Sequence, residues 1–232
     1  MKILFFGDSI TDAGRVRGTK DAGRMDEVHD YTPKAYGSGY VLLASAQLSY
    51  ERPGYYEILN RGIGGDRLPQ LYARAYLDVW KEAPDVLSIL VGVNDVNTGT
   101  NRNYTDIERW GRVYRMMISD TLEKCPNTKI MICEPFDLRD NPEADAEKGI
   151  GHISQYAAEA QLIAEEFGLS FVPLREKMDE AARIYGAENI CHDRVHPALA
   201  GAKIIADEWL KIFKSEILGE DNGKENFLGL LG

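Results

Sequence analysis

Ser9 follows the apolar run Ile3-Leu4-Phe5-Phe6, on a turn that begins at Gly7. A serine hydroxyl is a weak nucleophile until a base within hydrogen-bond reach takes its proton, and that base needs an orienting partner. Asp193 and His196 offer both groups from one short segment, Cys191-His192-Asp193-Arg194-Val195-His196-Pro197. The chemistry open to such a set is acyl transfer, which also requires donors for the oxyanion that forms on the attacked carbonyl. In Asn60-Arg61-Gly62-Ile63-Gly64-Gly65-Asp66 the bare backbone leaves an amide, that of Gly65, free to face a ligand oxygen. In Val91-Gly92-Val93-Asn94-Asp95 the side-chain amide of Asn94 is a second donor. Asp8, Gly64 and His192 flank these residues and are the candidates for substrate contact.

Each motif also has a plainer reading. Asp8, Ser9 and Thr11 are natural helix caps, the paired glycines make a tight turn, and Asn94 with Asp95 is an ordinary turn former. The glycine-rich turn does not satisfy the dinucleotide pattern, because Arg67 stands three residues after Gly64, and it follows the second strand rather than the first. His192-Asp193-Arg194-Val195-His196 imitates the two-histidine zinc motif with Asp in place of Glu. That motif needs a helix, and Pro197 suits a helix start, so neither a metal nor a cofactor is expected. What separates the catalytic reading from the plain ones is convergence: nucleophile, base, orienter and donors all fall just after successive elements of one sheet.

Those elements are short apolar runs alternating with longer amphipathic stretches, the pattern of a parallel sheet with helices on both faces. Strands are expected near 3–6, 56–59, 86–91, 130–133 and 170–172, and helices over about 39–50, 68–81, 104–124, 150–167, 174–185 and 198–215. In the third helix Ile107, Val113 or Tyr114, Met117 and Leu122 recur at near-helical spacing and should face the sheet, with Trp110 beside them. Trp80, Trp110 and Trp209 read as core. Residues 11–38 and 134–149 resist regular structure and follow the first and fourth strands, so they are expected to wall or cover a pocket beside Ser9.

A chain of 232 residues is long enough for one full hydrophobic core, and no linker divides it. A single domain over 1–218 is expected, with a tail, 219–232, that is either free or packed on a neighbouring subunit of a homo-oligomer. The formal net charge of -10 sets the whole-molecule field against a nucleic-acid partner. Cys125, Cys133 and Cys191 form no CxxC pair and are odd in number, which suits reduced thiols. The first apolar run is too short for a signal core or a membrane span. These features together predict a cytoplasmic protein with no membrane partner.

The blocks Gly7-Asp8-Ser9-Ile10, Gly62-Ile63-Gly64-Gly65-Asp66, Gly92-Val93-Asn94-Asp95 and Asp193-Arg194-Val195-His196-Pro197 occur in order over nearly the whole chain. Together they resemble the SGNH subgroup of GDSL hydrolases. The resemblance implies a three-layer α/β/α sandwich on a five-stranded parallel sheet of flavodoxin-like type. It also implies Ser9 as nucleophile, Asp193 and His196 as the rest of the triad, and Gly65 and Asn94 as oxyanion donors beside the amide of Ser9; the doubled glycine leaves Gly64 as the alternative to Gly65. The wider wording, including Gly37-Ser38-Gly39-Tyr40-Val41 and Pro84-Asp85-Val86-Leu87-Ser88-Ile89, is most similar to bacterial acetylxylan and acetyl-xylooligosaccharide esterases. Those relatives often carry Trp where this chain has His192, a difference that falls on the acyl-pocket wall. The activity implied is hydrolysis of short acyl esters, acetyl groups on xylo-oligosaccharides or related sugars first. Lysophospholipase or thioesterase activity is the alternative within the family, and non-catalytic carbohydrate binding the alternative outside it.

Overall fold

Lys2–Gly7 forms β1, the strand on which the sheet is assembled. Ile3, Leu4, Phe5 and Phe6 are at most 1 % exposed, because β1 has a strand on either edge and helices over either face. The computed structural model describes residues 1–17, 33–96, 103–139 and 152–220. β2 (Glu57–Gly62) and β3 (Val86–Leu90) flank β1 in parallel, and β4 (Lys129–Cys133) and β5 (Ser170–Val172) extend the sheet in the order β2-β1-β3-β4-β5. This is the flavodoxin-like order, whose ligand crevice lies at the carboxyl ends of β1 and β3, where the direction of winding reverses. Gly7 pairs with Gly62 on one side and Leu90 on the other, so the three strand ends are level and their loops leave from one edge.

On one face α2 (Tyr40–Glu51) packs against α8 (Leu199–Ile212), and on the other α3 (Leu68–Ala75), α4 (Ile107–Lys124) and α5 (Ile153–Phe167) pack in succession. The expected α/β/α sandwich is the fold observed. Under α8 the Trp209 ring stacks on Phe213 at 4.8 Å and its indole N–H donates to Ser88 Oγ at 2.9 Å. Trp110 and Trp209 are wholly buried, as the core reading requires; Trp80 is only partly covered and donates to Thr121 Oγ1. In α4 the buried stripe is Trp110, Tyr114, Met117, Ile118 and Thr121, while Ile107, Val113 and Leu122 pack at its margins. Cys125, Cys133 and Cys191 are unpaired and buried. Among the described residues no helix is long and apolar enough to cross a membrane.

The expected boundaries differ from the observed ones where tertiary pairing decides. β2 runs on to Gly62 because β1 pairs with it that far. The helices expected over 68–81 and 198–215 each close in a π-helical turn, Tyr76–Trp80 and Phe213–Ile217. The stretch expected to be irregular from residue 11 instead opens inside a four-residue helix, α1 (Ser9–Asp12), and resumes in the 3₁₀ turn Pro33–Tyr36. Val16 N–H donates to Lys34 O at 2.8 Å and Ser38 N–H to Ala13 O at 2.9 Å, so the two ends of this excursion are tied together. Residues 18–32, most of the expected second loop (140–149) and 221–232 of the expected tail lie outside the described residues. α6 (Arg175–Tyr185) and the short α7 (Ala187–Ile190) lead to the segment that carries Asp193 and His196.

Candidate active site

Ser9 stands at the first position of α1, directly after Asp8, whose carboxylate accepts from Ile10 N–H at 3.0 Å. The turn that delivers it admits no side chain at Gly7: a Cβ there would lie 2.3 Å from Thr11 Oγ1 and 2.5 Å from Leu90 O. Asp8 itself is 1 % exposed and spent on capping, which places it beneath the turn and removes it from the substrate-contacting set. Burial pushes its carboxyl up to about 7, with the Ile10 amide opposing the rise and Asp95 adding to it.

The partner loop is a narrow hairpin. Cys191 bridges Pro197 in antiparallel fashion, His192 N–H donates to His196 O at 3.1 Å, and Arg194 turns the chain at φ 69°. Asp193 Oδ1 accepts from the amides of Val195 and His196 at 3.0 and 2.7 Å, and its Oδ2 lies 2.6 Å from His196 Nδ1. Partial burial works to raise the Asp193 pKa, but these donors outweigh it and hold the carboxyl well below the usual range. The other imidazole nitrogen, Nε2, lies 2.8 Å from Ser9 Oγ. Residues 187 positions apart in the chain therefore form one unbroken line of hydrogen bonds. With Nδ1–H donated to the carboxylate, Nε2 presents its lone pair to the serine hydroxyl.

The two glycines separate by what their amides do. Gly64 N–H donates to Asp12 Oδ2 at 3.1 Å, whereas Gly65, at φ 82°, has no acceptor for its N–H among the described residues. Asn94 Nδ2 donates to Asp66 O at 3.0 Å, which fixes the side chain and leaves its second amide hydrogen available. Asp95 accepts from Leu68 N–H at 3.1 Å and so ties the Asn94 turn to the start of α3; burial raises its pKa to about 7 against the pull of Thr105 and the Leu68 amide.

A cavity of about 490 Å³ opens beside the hydrogen-bonded line, walled by Gly65, Asn94, Asp193, Val195 and His196 and by Arg67, Gln70 and Arg139. A larger cavity of about 730 Å³ lies at the amino ends of β1 and β2, among Met1, Tyr55 and Tyr56, and contains none of the candidate residues. Arg139 comes from the stretch after β4 that was expected to wall the pocket. Arg67 and Gln70 were missed; they are the N-cap and the third residue of α3, where a capping role alone would have been assigned to them. His192 is exposed and does not line the cavity, but its ring stacks on that of His196 with centroids 5.9 Å apart.

Several supporting residues carried no motif. Asn60 Nδ2 donates to Thr11 O and Tyr36 O at 2.7 and 2.9 Å, which holds α1 to the end of β2. Arg74 donates to Gly7 O at 3.0 Å and to Asp66 Oδ2 at 2.7 Å, with its guanidinium over the Phe6 ring. One side chain thus clamps both the turn before Ser9 and the turn that bears Gly65. A partly buried arginine inside a helix has no sequence signature that distinguishes it from a surface one.

A parallel α/β/α sandwich with a serine, a histidine and an acid aligned at its switch point is the layout of a hydrolase built on a flavodoxin-like sheet. The chain belongs to the GDSL-like lipase/acylhydrolase family, whose pattern it matches over residues 5–204, and it is a carboxylic ester hydrolase. It is 30 % identical over 218 residues to an acetylxylan esterase of Geobacillus stearothermophilus, covering 90 % of this chain and 92 % of that one. Among solved structures it resembles a GDSL-like lipase from Parabacteroides merdae, with a TM-score of 0.81 and 37 % identity over 91 % of this chain and 94 % of the other. The Geobacillus acetylxylan esterase structure superposes with a TM-score of 0.74 at 27 % identity, covering 91 % of this chain and 93 % of that one.

Proposed function

We propose that this chain removes short acyl groups, acetyl first, from xylo-oligosaccharides or related carbohydrates by way of a covalent acyl-enzyme on Ser9. The observation that carries the reading is the continuous hydrogen-bonded line Ser9–His196–Asp193 opening onto a polar cavity. Ser9 Oγ attacks the ester carbonyl while His196 Nε2 takes its proton, and Asp193 stabilises the imidazolium that results. The negative charge that forms on the carbonyl oxygen is met by the Ser9 and Gly65 amides and by Asn94 Nδ2. As the bond to the sugar breaks, His196 hands its proton to the departing ester oxygen, which leaves as the sugar hydroxyl. A water molecule, deprotonated by the same nitrogen, releases the acid and restores Ser9.

The substrate class rests on the wall and on the relatives. Arg67, Gln70 and Arg139 suit a hydroxyl-rich alcohol, while a long acyl chain would need an extended apolar tunnel that Val93 and Val195 do not provide. The curated relative named above is an acetylxylan esterase. A panel of acetylated xylose and xylobiose, short aryl esters and long-chain acyl esters, run on wild type and Ser9→Ala, tests both points. Hydrolysis of the acetyl sugars with a kcat roughly 10⁶-fold lower in Ser9→Ala is expected, together with fluorophosphonate labelling of wild type alone. Preference for long-chain acyl esters would overturn the substrate class, and retained activity in Ser9→Ala would overturn the nucleophile.

A further inference from the structure

The hairpin that presents Asp193 and His196 brings a third ligand-bearing side chain to the same point. The zinc-like spacing of His192 and His196 is not realised on a helix here, yet the rings meet because the two residues face each other across the hairpin, joined by the His192 N–H to His196 O bond. Donor atoms of His192, Asp193 and His196 lie within 4.8 Å of one another. We propose that these three residues form a binding site for a borderline transition-metal dication of the Zn²⁺ class, and that its occupation switches the esterase off.

The chemistry of the donors selects the ion. Two imidazoles and one carboxylate suit Zn²⁺, Co²⁺ or Cu²⁺, whereas Mg²⁺ and Ca²⁺ favour shells of oxygen alone. Arms of about 2.0–2.2 Å around a tetrahedral ion put neighbouring donors roughly 3.4 Å apart. Reaching that spacing needs movements on the order of 1 Å: His192, exposed at the rim, turns toward the other two about its own side-chain bonds, and the Asp193 carboxylate, with Oδ2 now 2.6 Å from His196 Nδ1, swings away from that nitrogen. Three protein ligands leave the fourth position to water.

The switch follows from the proton inventory of His196. A neutral imidazole has one lone pair, and in the metal-free hairpin it points at Ser9. If the ion takes Nε2, that lone pair is consumed. If it takes Nδ1, the proton held there moves to Nε2, which then donates and cannot accept from Ser9. In either arrangement Asp193 turns its carboxylate to the metal and no longer orients the ring. The effect on rate rests on the function proposed above; the binding itself does not.

Zn²⁺ titrated calorimetrically into wild type and Ser9→Ala should bind both at one equivalent, Co²⁺ should develop visible tetrahedral d–d bands, and Mg²⁺ should do neither. Loss of an outer-shell partner already costs about 10–100-fold in metal affinity, so His192→Gln, which removes a direct ligand, should weaken Zn²⁺ binding by more than about tenfold. Hydrolysis of a short aryl ester, normalised to each protein's own metal-free rate, should fall with Zn²⁺ in wild type and recover with EDTA, with His192→Gln needing a correspondingly higher concentration. Absence of stoichiometric Zn²⁺ binding, or His192→Gln responding at the wild-type concentration, would overturn the site. Stoichiometric binding without loss of rate would overturn the switch. Because Ser9→Ala reports binding without turnover, failure of the esterase reading and failure of the metal site give different results.

Discussion

Asp12 decides which of two adjacent glycines is free to meet a ligand. Its carboxylate already accepts from Gly64 N–H, and Arg17 Nη2 lies 2.5 Å from the same oxygen, so only the Gly65 amide remains to face the cavity. Asn94 is settled in the same way: one amide hydrogen is spent on Asp66 O and the other is left over. A single oxyanion donor is typically worth about 2.7–4 kcal/mol of barrier. Asn94→Ala is therefore expected to lower kcat by roughly 10²–10³-fold with KM little changed and the unfolding midpoint preserved, as read from steady-state kinetics beside thermal melts. An undiminished kcat would remove Asn94 from the oxyanion site.

At the scale of elements, the site depends on how closely α1 lies against the end of β2. A Cβ built on Gly62 would sit 2.2 Å from Asp12 N and 2.6 Å from Thr11 C, both backbone atoms that cannot step aside without moving the helix that begins at Ser9. Gly62→Ala should cost about 1–3 kcal/mol of stability and displace Ser9 from His196, so activity per folded molecule falls as well. Gly54→Ala is the control. Gly54 has φ 74° with open space around it, so alanine there should cost about 1–2 kcal/mol through backbone strain while kcat is unchanged. Equal activity in the two folded variants would show that α1 has slack.

For the molecule as a whole, two buried carboxyls near the switch point set the expected pH response. Asp8 and Asp95 are both pushed up by burial to about 7, so each binds its proton more tightly folded than unfolded. By linkage their contribution is complete below the ordinary value of 3.8 and is lost as pH rises to about 7. Asp193 has the opposite sign: its contribution is present above 3.8 and is lost only in stronger acid. Between about pH 4 and 7 the urea midpoint should therefore fall as pH rises, and Asp95→Asn should flatten that slope. The same slope in the variant would show that Asp95 does not bind the linked proton.

The sheet, its parallel sense and the two helical layers were legible in the chain because burial on both faces forces uninterrupted apolar runs such as Ile3-Leu4-Phe5-Phe6, and crossover helices force amphipathic spacers between them. Ser9, Asn94, Asp193 and His196 were legible for a related reason: each directly follows or precedes an element whose end is marked by Gly or Pro. Less could be read of what holds those residues. Asn60, Arg74 and Asp12 make their decisive bonds to groups 8 to 67 positions away, and no local pattern names such partners. The pairing of His192 with His196 was visible as spacing but was set aside because the zinc motif needs a helix, whereas here a hairpin brings the two rings together. Sequence by itself determined the fold class and the side chains offered for chemistry, since both follow from local periodicity and residue type. Tertiary structure alone decided that the Gly65 amide is free, that Asp8 is buried beneath the turn, and that His196 reaches Ser9, because each depends on where strand register and loop closure bring distant backbone together.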